Sequence, residues 1–131
     1  MKNLETEHVR ISFNHADGYL DIIFSGFVSY EELAEAIRYE LMMIHHYTIR
    51  KCIVNLQKIA IYPKGGVDHV RNVWFPEVVK AGITHVAFIV PENMFAQLDM
   101  QAAHTEAEEK KVMHTKYFIE ASTALEWIRK F

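Results

Sequence analysis

The hydrophobic pattern of this chain changes its period once, and that change constrains the fold more than any other feature. Apolar and polar residues alternate over residues 9–13, and the alternation returns over residues 20–24 after the pair Asp17-Gly18. A period of two is typical of a strand with one buried face, and Asp-Gly is a hairpin turn sequence. This part of the sequence therefore predicts an antiparallel β-hairpin.

Beyond the hairpin, the pattern predicts alternating helices and strands. Ser29 precedes Glu32 by three residues, which is the spacing of a helix capping box, and apolar residues then recur at helical spacing from Leu33 to Ile44. Short apolar runs at 52–54, 86–90 and 117–119 alternate with helical patterns at about 67–81, at about 92–109 and near Ala124. The sequence predicts one α/β domain over residues 1–131, in which a hairpin leads into a parallel sheet, with five strands and four helices.

Composition excludes several classes of function. The net charge of −3 provides no basic surface for nucleic acid or an acidic membrane. No apolar segment is long enough to span a bilayer, and the polar residues 1–7 do not resemble a signal peptide. The single cysteine, Cys52, lies in an apolar run and is interpreted as a packed core thiol. We therefore expect a cytoplasmic protein.

The predicted contact surface lies where the third strand would end. In α/β proteins, ligands and partners contact the loops that follow the carboxyl ends of parallel strands. Residues 57–66 are predicted as such a loop, with Tyr62 held extended by Pro63 and pointing outward. Of the adjacent rings Trp74 and Phe75, one is expected to face the sheet and the other to cover a helix or be exposed. The predicted surface comprises Asn55, Lys58, Tyr62, Lys64, Asp68, Arg71 and Trp74.

Motifs for catalysis, nucleotides or metals are absent from the sequence. It has no Gly-x-Ser-x-Gly, Gly-x-Gly-x-x-Gly or Walker pattern. The adjacent His45 and His46 would diverge by about 100° on a helix, so they do not share an ion easily. His104 and Glu108 share a helix face without a third ligand, and we expect them to be solvated. No catalytic, cofactor or metal site is predicted.

Several segments resemble one bacterial group of domains. The segments are residues 24–29, Trp74-Phe75-Pro76, residues 86–96 and residues 124–127. They are similar to the STAS-like, or SpoIIAA-like, family, which is mostly of unknown function. The resemblance implies a non-enzymatic binding or regulatory domain. Regulatory STAS domains carry a phosphorylatable Ser or Thr in the region that 58–68 matches; this chain has neither there, so the familiar phosphorylation switch is not expected.

These observations leave three hypotheses for the function. The main one is a non-catalytic binding or regulatory module whose partner is a protein or a small apolar ligand. One alternative is a carrier of a small apolar or lipid-like ligand, with a pocket lined by Phe75, Phe88 and Phe95; the topology loosely resembles the CRAL-TRIO lipid carriers. The other alternative is an unrecognised enzyme that uses Asp68 and His69, with Glu77 nearby. A homodimer is also predicted, because a sheet edge and one exposed aromatic ring would leave surface to cover.

Overall fold

The strands form one six-stranded mixed sheet in a computed structural model that describes all residues, 1–131. Strand order follows the chain from β1 to β6; the pairs β1-β2 and β2-β3 are antiparallel, and the remaining pairs are parallel. The predicted hairpin and parallel sheet are confirmed, while the predicted number of five strands is wrong, because two-residue β1 is too short to show alternation. The strands are β1 (Leu4–Glu5), β2 (Val9–Asn14), β3 (Tyr19–Phe27), β4 (Lys51–Ile61), β5 (His85–Ile89) and β6 (His114–Phe118).

Four helices connect and cover the sheet, as predicted. They are α1 (Tyr30–Tyr47), α2 (residues 66–80), α3 (Met94–Lys110) and α4 (Ala121–Ile128). The capping box before α1 is confirmed: the Glu32 backbone N–H donates to Ser29 Oγ at 3.1 Å, and the Ser29 N–H donates to Glu32 Oε1 at 3.0 Å. Helix α2 consists of α-helical Gly66–His69, a π-helical segment Val70–Trp74 and α-helical Phe75–Lys80. No helix is both long and apolar enough to cross a membrane.

The two faces of the sheet carry cores of different size. Side chains of α1, α2 and α3 pack with the larger cluster of 28 buried residues on one face. Helix α4 covers the other face, where Ala124 and Ile128 pack with Ile53 and Ala87 in a cluster of six. The side chains of consecutive strand residues therefore pack in opposite cores, as the short apolar runs without alternation predicted. Cys52 lies in the larger cluster as a free, buried thiol, which confirms its interpretation as a core residue.

Strand β4 is longer than the sequence predicts. Residues 57–61 continue the strand, so the predicted loop over residues 57–66 is wrong. Their partners are the last residues of β3, since Ser25 pairs with Lys58 and Phe27 pairs with Ile61 across a shift in register. The polar pair Gln57-Lys58 lies at this irregularity and breaks the apolar run, which is why the sequence resembles a turn there. The connection to α2 is only residues 62–65, and its φ of 82° at Gly65 is a conformation that favours glycine.

Candidate functional site

A cavity lies inside the larger core, between the sheet and helices α1, α2 and α3. Its volume is about 40 Å³, enough for about three waters. Of its 14 lining residues, 11 are hydrophobic. The apolar wall includes Phe24, Val54, Leu56, Ile59, Val70 and Phe88. Two titratable side chains, Glu40 and His104, line the same cavity.

Glu40 is a carboxyl group with a single hydrogen bond. Its side chain is 1% exposed, and Trp74 Nε1 donates to its Oε1 at 2.8 Å. Its other oxygen, Oε2, has no hydrogen-bond partner in the protein. Among residues that are not exposed, every side-chain nitrogen or oxygen atom without a partner is accessible to a water molecule. Oε2 therefore faces the cavity. Burial raises the pKa of Glu40 to about 8, because the apolar walls disfavour the charged form.

His104 lies in the cavity wall at the end of a chain of hydrogen bonds. The Tyr117 hydroxyl donates to Glu108 Oε1 at 3.2 Å, so its oxygen is free to accept from His104 Nδ1 at 2.9 Å. The other ring nitrogen, Nε2, has no partner and faces the cavity by the same reasoning as Oε2 of Glu40. Burial lowers the pKa of His104 to about 3, which leaves the ring neutral.

The π-helical segment explains how two adjacent rings are both buried. The Phe75 N–H donates to Val70 O, five residues back, which widens this turn just before Pro76. A proline in a regular helix would clash with the carbonyl four residues earlier, and the wider turn avoids this. Trp74 then reaches Glu40 on α1, while Phe75 packs edge-on against the ring of His104 on α3, with centroids 5.0 Å apart. Of the two alternatives predicted for the second ring, Trp74 meets the first, contact with a neighbouring helix, and neither ring is exposed.

The short connection after β4 covers the cavity. Tyr62 and Pro63 line it, and the Tyr62 backbone N–H donates to Asp99 Oδ2 at 3.2 Å, which ties the connection to α3. The prediction that Tyr62 points outward is wrong, because its ring is buried against the apolar wall. Burial and the nearby Asp99 carboxylate raise the pKa of Tyr62, so its hydroxyl stays neutral.

The structure divides the predicted contact surface into two groups. Tyr62 and Trp74 are buried and line the cavity, so they add no accessible surface. The remaining five residues stay near the carboxyl ends of the strands, half-buried or exposed. Asn55 Oδ1 accepts from the Gln57 N–H at 3.0 Å, Lys58 pairs with Glu92 at 2.9 Å, and Arg71 pairs with Asp68 at 3.2 Å. Lys64 is exposed in the connection before α2. A contact function for these five residues stays a prediction.

The residues named for the alternative functions do not meet at one place. His69 Nδ1 lies 3.0 Å from the Tyr30 hydroxyl, whereas Asp68 pairs with Arg71. Glu77 is nine residues beyond Asp68, about 13 Å along the helix axis. Of the rings predicted to line a pocket, Phe88 does so, Phe75 packs in the core, and Phe95 is 69% exposed.

Glu40 and His104 are site residues that no sequence motif marks, although the hydrophobic pattern contains a signal for each. Glu40 lies three residues after Ile37 and four before Ile44, so it occupies the apolar stripe of α1. His104 lies four residues after the buried Met100, so the prediction that it is solvated is wrong. A polar residue on the buried stripe of a helix requires a partner or a function. Periodicity does not show which strand a buried polar side chain on a helix would face.

Comparisons with known proteins support the fold. No family model matches the chain, and no curated protein matches it significantly. The chain is similar to the solved structure of an uncharacterized protein of the DUF3478 family, with a SpoIIAA-like fold, from Shewanella loihica PV-4. The TM-score is 0.55 at 13% identity, over 95% of this chain and 98% of that chain. The predicted SpoIIAA-like fold is therefore confirmed, and at this identity the likeness concerns the fold alone.

Proposed function

We propose that this protein is a non-catalytic binding module and that its ligand site is the cavity between Glu40 and His104. The observation that carries the proposal is the pair of unpartnered polar atoms, Glu40 Oε2 and His104 Nε2, in an otherwise apolar space. An apolar cavity with a few polar groups and strongly shifted pKa values is the usual form of a ligand site. The π-helical turn that supplies Trp74 is also a feature that is frequent at functional sites.

The size of the cavity favours a small ligand over a lipid. Pockets for drug-sized molecules measure about 300–1,000 Å³, and this cavity measures about 40 Å³. A lipid-like ligand would require the connection around Tyr62 to move away from the sheet. A compact ligand of a few non-hydrogen atoms needs a far smaller movement, so the small-ligand form of the carrier hypothesis is favoured.

The pKa values favour binding over catalysis. An efficient general base has a pKa near the working pH, whereas that of His104 is about 3. Asp68 and His69, the pair named for an enzyme, contact Arg71 and Tyr30 instead of each other. The pKa of Glu40 is about 8, close to neutral pH, but its neighbour His104 does not supply a matched second group. Asp68 and His69 do not act together, because each contacts a different residue. The buried free thiol of Cys52 is consistent with a cytoplasmic location for this module.

Native mass spectrometry of protein isolated from its own cell tests the proposal. We expect the wild type to carry a dissociable small molecule that Val70→Phe lacks, because Val70 lines the cavity and the larger ring fills it. Val73→Phe is the matched control, since Val73 lies in the same π-helical segment and does not line the cavity. If all three folded proteins show only the mass of the bare polypeptide, the cavity is refuted as a binding site.

Contact with a protein partner is the second candidate function. Exposed apolar side chains gather where β3, β4, β5 and β6 end, beside the five accessible residues of the predicted contact surface. Apolar groups concentrated at one edge of a sheet are typical of a contact site. The exposed apolar residues at this edge are Phe27, Ile61, Met94, Phe95, Leu98 and Ile119.

Backbone NMR of a mixture with a partner isolated by pull-down would test the second candidate. Shift changes should centre on residues 55–71 and on the first turns of α3. Changes centred on α4 would contradict this placement.

A further inference from the structure

We propose that the cavity selects a neutral ligand with a hydroxyl group, which accepts a hydrogen bond from Glu40 Oε2 and donates one to His104 Nε2. The inference rests on the proposed binding function and specifies the chemistry of its ligand. It depends on the proton positions of two groups, and the protein itself determines both.

Glu40 is the donor to the cavity. Trp74 Nε1 donates to Oε1, so Oε1 acts as an acceptor and the acid proton belongs on Oε2. The group keeps that proton at neutral pH, because its pKa is about 8 and the walls around it are apolar. A ligand atom beside Oε2 must therefore accept a hydrogen bond.

His104 is the acceptor from the cavity. Tyr117 uses its own proton on Glu108, so Nδ1 of His104 carries the ring proton and donates to the Tyr117 oxygen. In a neutral imidazole, a protonated Nδ1 leaves Nε2 with a lone pair. A ligand atom beside Nε2 must therefore donate a hydrogen bond.

A hydroxyl group has both functions, because its oxygen accepts a hydrogen bond and its hydrogen donates one. An ether or ketone accepts from Glu40 but leaves Nε2 unsatisfied, and a hydrocarbon satisfies neither atom. An ionised ligand would pay a large desolvation cost among walls of which 11 of 14 residues are hydrophobic. The apolar remainder of the ligand would contact rings such as Phe24 and Phe88. The chemistry of the cavity thus corresponds to a small alcohol.

Ethanol and dimethyl ether are suitable probes because they have the same atoms and differ in the O–H group. Dissociation constants for both would be measured at pH 6 by methyl NMR titration, using the cavity residues Val54 and Ile59 as reporters. Wild type and His104→Phe are compared, so that the hydration of each free probe cancels. We expect His104→Phe to weaken ethanol about three- to tenfold, the range for one neutral hydrogen bond, and to leave dimethyl ether unchanged.

Two further variants keep the test decisive. Val73→Phe changes a residue of the same π-helical segment that does not line the cavity, so it should bind both probes like the wild type. If His104→Phe does not fold, Tyr117→Phe replaces it in the comparison. Without the Tyr117 oxygen, the ring proton of His104 is no longer held on Nδ1. The preference for ethanol over dimethyl ether should then fall.

The outcomes distinguish failure of the hydroxyl assignment from failure of the cavity as a binding site. Equal losses of ethanol and ether in His104→Phe, or no loss of either, would overturn the hydroxyl assignment while leaving the cavity as a binding site. Xenon provides the independent control, because it needs only apolar space. If xenon under pressure shifts neither reporter and both organic probes also fail to bind, the cavity is closed and both proposals are wrong.

Discussion

Glu40 and His104 give the stability of the fold two opposite dependences on pH. The pKa of Glu40 rises from an ordinary 4.5 to about 8, so its contribution is complete below pH 4.5 and is lost as pH rises towards 8. The pKa of His104 falls from 6.5 to about 3, so its contribution is complete above pH 6.5 and is lost as pH falls towards 3. Between about pH 4.5 and 6.5 the two slopes cancel.

We therefore predict that the contribution of Glu40 and His104 to the free energy of unfolding is constant between about pH 4.5 and 6.5 and declines on each side. From pH 6.5 to 8, the unfolding free energy of wild type should fall relative to Glu40→Gln by on the order of 2 kcal/mol. From pH 4.5 to 3, it should fall relative to His104→Phe by a similar amount, on the order of 2 kcal/mol. Urea unfolding at a series of pH values measures both differences. Parallel pH profiles for wild type and either variant would show that the group concerned is not buried in the form described.

At the scale of the elements, local signals predicted the fold well and the site poorly. The hairpin, the capping box of α1 and the alternation of strands and helices each depend on residues close in sequence, so a pattern reveals them. The end of β4 depends on pairing with β3, between Phe27 and Ile61, and no local pattern contains that contact. The π-helical turn likewise depends on Pro76 together with the packing of Trp74 against Glu40. The candidate site joins residues from three helices, which is why periodicity alone did not assemble it.

The N-terminal cap of α1 allows a test at this scale. Ser29→Ala removes the side-chain acceptor for the Glu32 N–H, and loss of a cap costs about 1 kcal/mol. Glu32 also contacts His8 on the hairpin side, with Nδ1 and Oε2 2.9 Å apart, so its position should loosen as well. Ser122→Ala, at an exposed position inside α4, is the matched control and should change little. Chemical denaturation of both variants measures how much unfolding free energy each one loses. Equal losses would show that the capping box adds no stability.

In the whole molecule, the two edges of the sheet are protected against pairing, whereas part of the apolar surface stays exposed. Edge strand β1 has only two residues, and the opposite edge strand β6 has the exposed Lys116 at its centre; both features discourage pairing with another sheet. The exposed ring that was expected from Trp74 and Phe75 does not exist, because both are buried. Apolar exposure concentrates instead at the carboxyl ends of the strands. If the chain forms the predicted homodimer, that surface is the better candidate for the interface.

We predict that sedimentation detects a dimer at concentrations of about tens of micromolar, where an interface of ordinary affinity is occupied, and that Phe95→Asp abolishes it. Phe95 is 69% exposed at the start of α3, beside Met94 and Leu98, so a carboxylate there would be buried without a partner in the dimer. Met42→Asp is the control, because Met42 is 57% exposed on α1 and outside this surface. A wild-type protein that remains monomeric would refute the homodimer. A dimer that survives Phe95→Asp and dissociates in Met42→Asp would instead place the interface on α1.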